Sequence, residues 1–116
     1  MSFEADLAAA VGALCGGRCY PDFAPVGVAR PYVVYAQVGG PSVQFLEGGP
    51  APARMARVQF NVWHDTRLSA NALMRQIDDL LRAAPWQGSP QGELMARVDE
   101  TSQLRGAQQD FMLRAA

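Results

Sequence analysis

"MARVQFNVWHDTRLSANALMRQIDDLL", Met55 to Leu81, decides the fold, because the hydrophobic period changes inside it. Up to His64 the residues alternate. Ala56, Val58, Phe60 and Val62 share one face, and Met55, Arg57, Gln59, Asn61 and Trp63 share the other. Alternation with period two sends successive side chains to opposite sides of a strand, so the apolar side is expected to meet a core. From Thr66 the period lengthens. Leu73, Ile77, Leu80, Leu81 and Ala84 form the stripe of an amphipathic helix. Thr66 or Ser69 supplies the N-cap, and Pro85 closes the helix because it has no amide hydrogen for the ladder.

The same reading extends outward in both directions. Towards the N-terminus, Ser2 can cap a helix whose apolar positions are Phe3, Leu7, Ala10, Val11 and Leu14. Glu4 and Asp6 lie in its first turn, where the helix dipole favours negative charge. Gly16-Gly17 ends it, since glycine accepts the left-handed conformation after a helix. A turn-rich connector, "RCYPDFAPVGVARP", holds a very short strand at Arg18 to Tyr20. "YVVYAQV", Tyr32 to Val38, is a β-branched and aromatic strand with both faces mostly apolar, which suits a strand covered on each side or placed inside an assembly. Towards the C-terminus, "GELMARV", Gly92 to Val98, and "QQDFMLRA", Gln108 to Ala115, alternate as two final strands, with the turn residues of "DETSQLRG" between them.

One segment stands apart. "GGPSVQFLEGGPAPAR", Gly39 to Arg54, is punctuated by glycine and proline yet carries Phe45 and Leu46. A structureless loop of that length is unusual in a compact domain. If "SVQFLE" is a strand pairing with Tyr32 to Val38, the segment is an extended hairpin arm. The expected fold is therefore α+β and a single domain over residues 1–116. It has a mostly antiparallel sheet of four to five strands, two helices on one face and a protruding β-hairpin arm.

Composition narrows the function classes. The hydrophobic fraction of 49% and charged fraction of 18% are those of a globular chain, which excludes disorder throughout. All ten basic residues are arginines, scattered from Arg18 to Arg114, and the net charge is −1. Nucleic-acid binding needs a collected basic footprint, and none is present. The absence of lysine removes Schiff-base chemistry. "LAAAVGALCGG" imitates the apolar part of a signal peptide, but "MSFEAD" before it is acidic where a signal is basic. No other apolar run approaches the ~20 residues of a membrane span. The expectation is a cytoplasmic protein with Cys15 and Cys19 reduced; their spacing suits neither zinc nor redox work, and they read as two small buried or half-buried apolar residues.

Catalysis finds little support in the residues. His64 and Asp65 with Ser69 could suggest part of a triad, but neighbours on a strand point to opposite faces. Asp78 and Asp79 diverge by ~100° on a helix and form no carboxylate pair. Asp99-Glu100 has no histidine or cysteine companions, and no glycine pair sits in a phosphate-binding strand–loop–helix pattern. No catalytic, metal or cofactor site is expected. What remains is surface. Trp63 and Arg57, on the more polar face of their strand, are of the types enriched at interface hot spots. Two readings of Trp63 stand: packing under a helix or beside a strand, or contact with a partner. Phe45, Leu46, Glu47 and Arg54, in the arm, complete the candidate assembly interface.

The chain resembles a family of phage and prophage tail components. The resemblance rests on Gly17, Arg18, Tyr20, Pro21, Ala24, Pro25 and the run Pro31 to Tyr35 in "GGRCYPDFAPVGVARPYVVYAQVGG". It rests equally on Arg57, Val58, Gln59, Val62 and Trp63 in the alternating strand, and on Gln109, Asp110 and Phe111 in the last one. It spans nearly the whole sequence and is similar to the lambda-type tail terminator. It implies a ring, typically hexameric, at the head-proximal end of the tail tube, which stops tube polymerisation and offers the surface for head joining. The implied partners are other copies of the chain, the tail-tube protein and a head-completion or connector protein, with DNA at most passing through the lumen. The implied location is the host cytoplasm during assembly and then the virion tail. Alternatives are a head–tail connector or stopper component and a host-directed prophage binding module, with a small hydrolase using His64 as a fourth reading.

Overall fold

A computed structural model describes residues 3–39 and 55–114. In order, α1 is Phe3–Gly12, β1 Cys19–Pro21, β2 Tyr32–Gln37, β3 Met55–His64, α2 Arg67–Arg82, β4 Ser89–Pro90, β5 Met95–Asp99 and β6 Leu104–Arg114. The sheet runs β1-β2-β3-β6, and β4 and β5 both pair with β6 beyond it. All pairs are antiparallel except β1 with β2, which the long connector between them allows to be parallel.

The alternating stretch sits at the centre. β3 occupies Met55 to His64 and is hydrogen-bonded on both sides, to β2 and to β6. Its apolar side, Ala56, Val58, Phe60 and Val62, is buried and continues across the sheet into Val33 and Tyr35 of β2 and Ala107, Phe111 and Leu113 of β6. The second layer is made by both helices. Leu7 and Val11 of α1 join Ala70, Leu73, Met74, Ile77 and Leu81 of α2 in one core with these strands. Each fully buried leucine or isoleucine contributes about 2 kcal/mol, and this burial holds the short α1 in place.

Local chemistry sets the helix ends. Thr66 is the α2 N-cap, its hydroxyl accepting from the Ser69 amide at 3.1 Å. The helix stops at Arg82, with Ala83 extended at its C-cap before Pro85. After α1, Gly16 adopts φ +67° and the Gly17 amide reaches back to the Gly12 carbonyl at 2.7 Å, closing the end as expected. The candidate cap Ser2 lies outside the described residues, and so do "SVQFLE" and the hairpin arm expected there.

Most strand boundaries differ by a residue from the sequence reading, and two differ by more. β6 begins at Leu104 instead of Gln108, because it pairs with β3 along its full length, from Met55 with Arg114 to His64 with Arg105. The turn is thereby confined to Glu100 to Gln103, where Gln103 has φ +63°. β5 begins at Met95 instead of Gly92. Gly92 has φ +97°, and its carbonyl accepts from the buried Gln109 side chain at 2.9 Å, which turns the chain before the strand starts. Six strands form where four to five were expected, since the two-residue β4 pairs Ser89 with Met112 and Pro90 with Phe111.

Cys15 and Cys19 are buried free thiols. Burial pushes the Cys15 thiol up against the opposing effect of Arg18, and burial with the nearby Cys15 pushes Cys19 up to about 12. A thiol at that value is ionised in about one molecule in ten thousand at pH 8, and the thiolate is the reactive form. The folded protein at pH 8 is therefore expected to resist iodoacetamide for a time that labels both cysteines fully in urea. Equal labelling rates in the two conditions, read by intact mass, would contradict this packing of β1 against α1.

Candidate assembly surface

The helices cover one side of the sheet. On the other side, no helix or strand of the described residues packs over β3, β6 and β2. β3 presents Met55, Arg57, Gln59, Asn61 and Trp63 there, each half-buried by its lateral neighbours. The register places Gly106, Gln108, Asp110 and Met112 of β6 beside them on one flank, and Tyr32, Val34 and Ala36 of β2 on the other.

Trp63 is held by its opposite number. It pairs with Gly106, and a Cβ added at Gly106 would meet two atoms of the Trp63 ring and the Val62 carbonyl oxygen, all at 2.9 Å. The missing side chain is therefore what lets the indole lie down across β6. From β5, the Arg97 guanidinium carbon stands 5.8 Å from the Trp63 ring centroid, a cation–π contact of about 0.5–1 kcal/mol at an exposed site. Arg97 also donates to the Gln108 side chain at 2.7 Å and to the Asn61 side chain at 3.4 Å, while Asn61 donates to Gln59 at 3.3 Å. At the other end Arg57 Nε meets Asp110 Oδ2 at 3.0 Å, with the Asp110 side chain only 18% exposed. Beside Trp63, the Tyr32 hydroxyl is pushed up by burial and by the negative Asp99, against the pull of Arg30.

The result is a surface with an aromatic at one end, a network of amides in the middle and an ion pair at the other. Its polar groups are satisfied by one another, which fixes their directions before anything binds. That is the property of a contact surface that loses little side-chain entropy on association.

Of the sequence candidates, Arg57 and Trp63 share this face, with Gln59 and Asn61 between them. Trp63 packs on the neighbouring strand and is not under a helix. Phe45, Leu46, Glu47 and Arg54 lie outside the described residues. Arg97, Gln108 and Gly106 were not singled out from sequence, and Asp110 only as a position of the family resemblance. Gly106 alone carried a signal, as a glycine next to an alternating run, where a close approach is a common reason for its presence.

The histidine has other engagements. His64 Nδ1 accepts from the Asp65 amide at 2.8 Å, Asp65 pairs with Arg30 at 2.7 Å, and Ser69 Oγ bonds Thr66 Oγ1 at 2.9 Å. The three side chains make no nucleophile–base–acid chain. Among the described residues no group of three or more His, Cys, Asp or Glu could hold a metal ion, and no helix is long and apolar enough to cross a membrane.

The described residues form a two-layer α+β fold in which no described helix or strand covers the outer face of the sheet. The comparisons with known proteins identify the family. The family model of the tail completion protein gp17 matches residues 5–114, so the chain belongs to the tail completion protein gp17 family and has a structural role in tail assembly. Among solved structures, a chain of the virion of a native gene transfer agent particle has the same fold, with a TM-score of 0.59 and 22% identity over 98% of this chain and 91% of that one. No curated protein matches.

Proposed function

We propose that the protein caps the head-proximal end of the tail tube as a ring, ends tube polymerisation and provides the surface on which the head joins. The observation that carries this reading is the family match along residues 5–114. The outer face of the sheet, which no described helix or strand covers, supports it, since a cap must present a defined surface to a partner. The similar chain in a gene transfer agent virion places the same fold in a phage-like particle. In this reading Arg57 and Trp63 meet a neighbouring protein, and Phe45, Leu46, Glu47 and Arg54 add contacts from the segment between β2 and β3. The ring is a hexamer on the tail, and its partners are the tail-tube protein on one side and a head-completion or connector protein on the other. DNA passes through the lumen without sequence-specific contact. The protein assembles in the host cytoplasm and ends in the virion tail.

The test is negative-stain electron microscopy of particles after in-frame deletion of the gene from an inducible prophage. Overlong tails or polytubes beside filled, tailless heads are expected. Tails of normal length that fail to attach would move the protein to head–tail joining as a connector or stopper. Normal infectious particles would overturn both structural roles and favour a host-directed function.

A further inference from the structure

Arg67 stands where the helix dipole alone would not put it. It opens α2, and the positive end of a helix dipole disfavours a cation in the first turn. No acidic residue shares that turn, and among the described residues no carboxylate lies within salt-bridge distance of the guanidinium. The half-buried residue is held by the sheet instead, where it serves two backbone carbonyls at once. One Nη donates to the Gly106 carbonyl of β6, and the other donates to the Arg97 carbonyl of β5 at 3.2 Å.

Those two carbonyls belong to the residues that hold Trp63. Gly106 and Arg97 face each other across β6 and β5. The indole lies against Gly106, where an added Cβ would meet its ring at 2.9 Å, and the Arg97 guanidinium stands 5.8 Å from its centroid. Arg97 also donates to Gln108 and Asn61, so the amides further along the face take their directions from the same point. Among the described strands β5 pairs with β6 alone. The place of Arg97 on the outer face therefore depends on its pairing with Gly106, and Arg67 bonds both members of that pair.

We propose that Arg67 is a positioning residue of the assembly surface: it fixes the Gly106–Arg97 pair from α2, and that pair fixes Trp63. Arginine suits this work because its planar fork presents several donors in one plane, whereas the ammonium of lysine is a point charge. The start of α2 and the Trp63 end of the outer face then form one unit. A change in the helix layer would be felt by a partner on the opposite side of the sheet. The inference rests on the reading of the outer face as a contact surface and names a residue, outside that face, on which its geometry depends.

Arg67→Ala and Arg67→Lys in the full chain test it, with Arg75→Ala as the control. Arg75 lies on the same helix, but its partner is the exposed Glu93 at 2.9 Å instead of Gly106 or Arg97. Two quantities are read: the indole N–H resonance of Trp63 in the purified chain, and the infectious yield of an inducible prophage carrying each variant at a temperature where it stays folded. The resonance is expected to move in Arg67→Ala, to move less in Arg67→Lys and to stay in place in Arg75→Ala, with Trp86 unmoved in all three. Infectious yield is expected to fall in the same order. Arg67→Lys keeps the charge and the aliphatic stem, so it carries the test should Arg67→Ala fail to fold. Lowered stability with the Trp63 resonance unmoved would make Arg67 an ordinary tie between helix and sheet and overturn the proposal. A displaced Trp63 with full infectivity would overturn the part this end of the face plays in assembly. The resonance is read in the isolated protein, so its outcome is independent of the capping role that the gene deletion tests.

Discussion

Replacing Phe60 with alanine is expected to lower the unfolding free energy by about 3–5 kcal/mol, the largest stability loss from any single side chain considered. Phe60 is fully buried in the middle of the central strand. Its ring meets Phe111 of β6 edge to face, with centroids 5.8 Å apart, and Tyr35 of β2 at 6.4 Å. Truncation therefore removes both the transfer free energy of the ring and two aromatic contacts. It leaves a cavity bordered by three strands whose mutual hydrogen bonds prevent collapse. A domain of this size has about 5–15 kcal/mol in total, so the variant is expected to be partly unfolded at 37 °C. Urea titration followed by far-UV circular dichroism measures it, through a lowered midpoint at unchanged slope. Phe60→Leu, which keeps most of the volume, should recover more than half of the loss. A Phe60→Ala midpoint near that of the wild type would show that helices and sheet can close the gap, contrary to the rigid two-layer packing.

The expectation about Phe60 could be written from sequence because its information is local. Alternation over Met55 to His64 says which side is buried, and the change of period at Thr66 says that a helix follows. The assembly surface was less legible. Arg57 and Trp63 were placed on the outer face by the same alternation, but the groups that orient them come from other strands. Arg97 reaches Trp63 only because β5 and β3 both flank β6 in register at Gly106. Pairing register is a long-range property that no window of residues contains. The same holds for Trp86, which follows Pro85 in an apparent loop yet is buried edge-on against Phe3 at 5.9 Å. β4 was missed for a different reason: a two-residue pairing has no period to detect.

That dependence on register also explains why so little of the outer face looks like a binding motif. Each of its groups is common on exposed strands. Their mutual satisfaction makes the face specific, from the Arg57–Asp110 pair through the amides to Arg97 on the indole. A change that disturbs one end is therefore expected to be felt by the partner even when the core is intact.

Gly106→Ala makes that change with a single carbon and is expected to cost about 1–3 kcal/mol, the range for overpacking. Glycine in a strand interior is ordinarily improvable, since alanine narrows the unfolded ensemble and stabilises by about 0.4–1 kcal/mol where the backbone permits it. Here the new Cβ would sit 2.9 Å from two ring carbons of Trp63 and 2.9 Å from the Val62 carbonyl oxygen. The ring can tilt away, but the carbonyl belongs to the central strand and can move only with it. The clash term should therefore outweigh the entropic gain. A double-mutant cycle separates the two contacts. In a Trp63→Ala background the ring is gone, so Gly106→Ala should cost less by about 1 kcal/mol, with the carbonyl contact accounting for what remains. The indole N–H resonance of Trp63, one of only two tryptophans, should shift in Gly106→Ala while that of Trp86 stays in place. Equal costs in both backgrounds would mean that the ring does not rest on Gly106. If the face is the contact surface proposed above, Gly106→Ala should also lower the yield of infectious particles at temperatures where the variant remains folded. Full infectivity with a displaced Trp63 would remove this end of the face from the assembly interface.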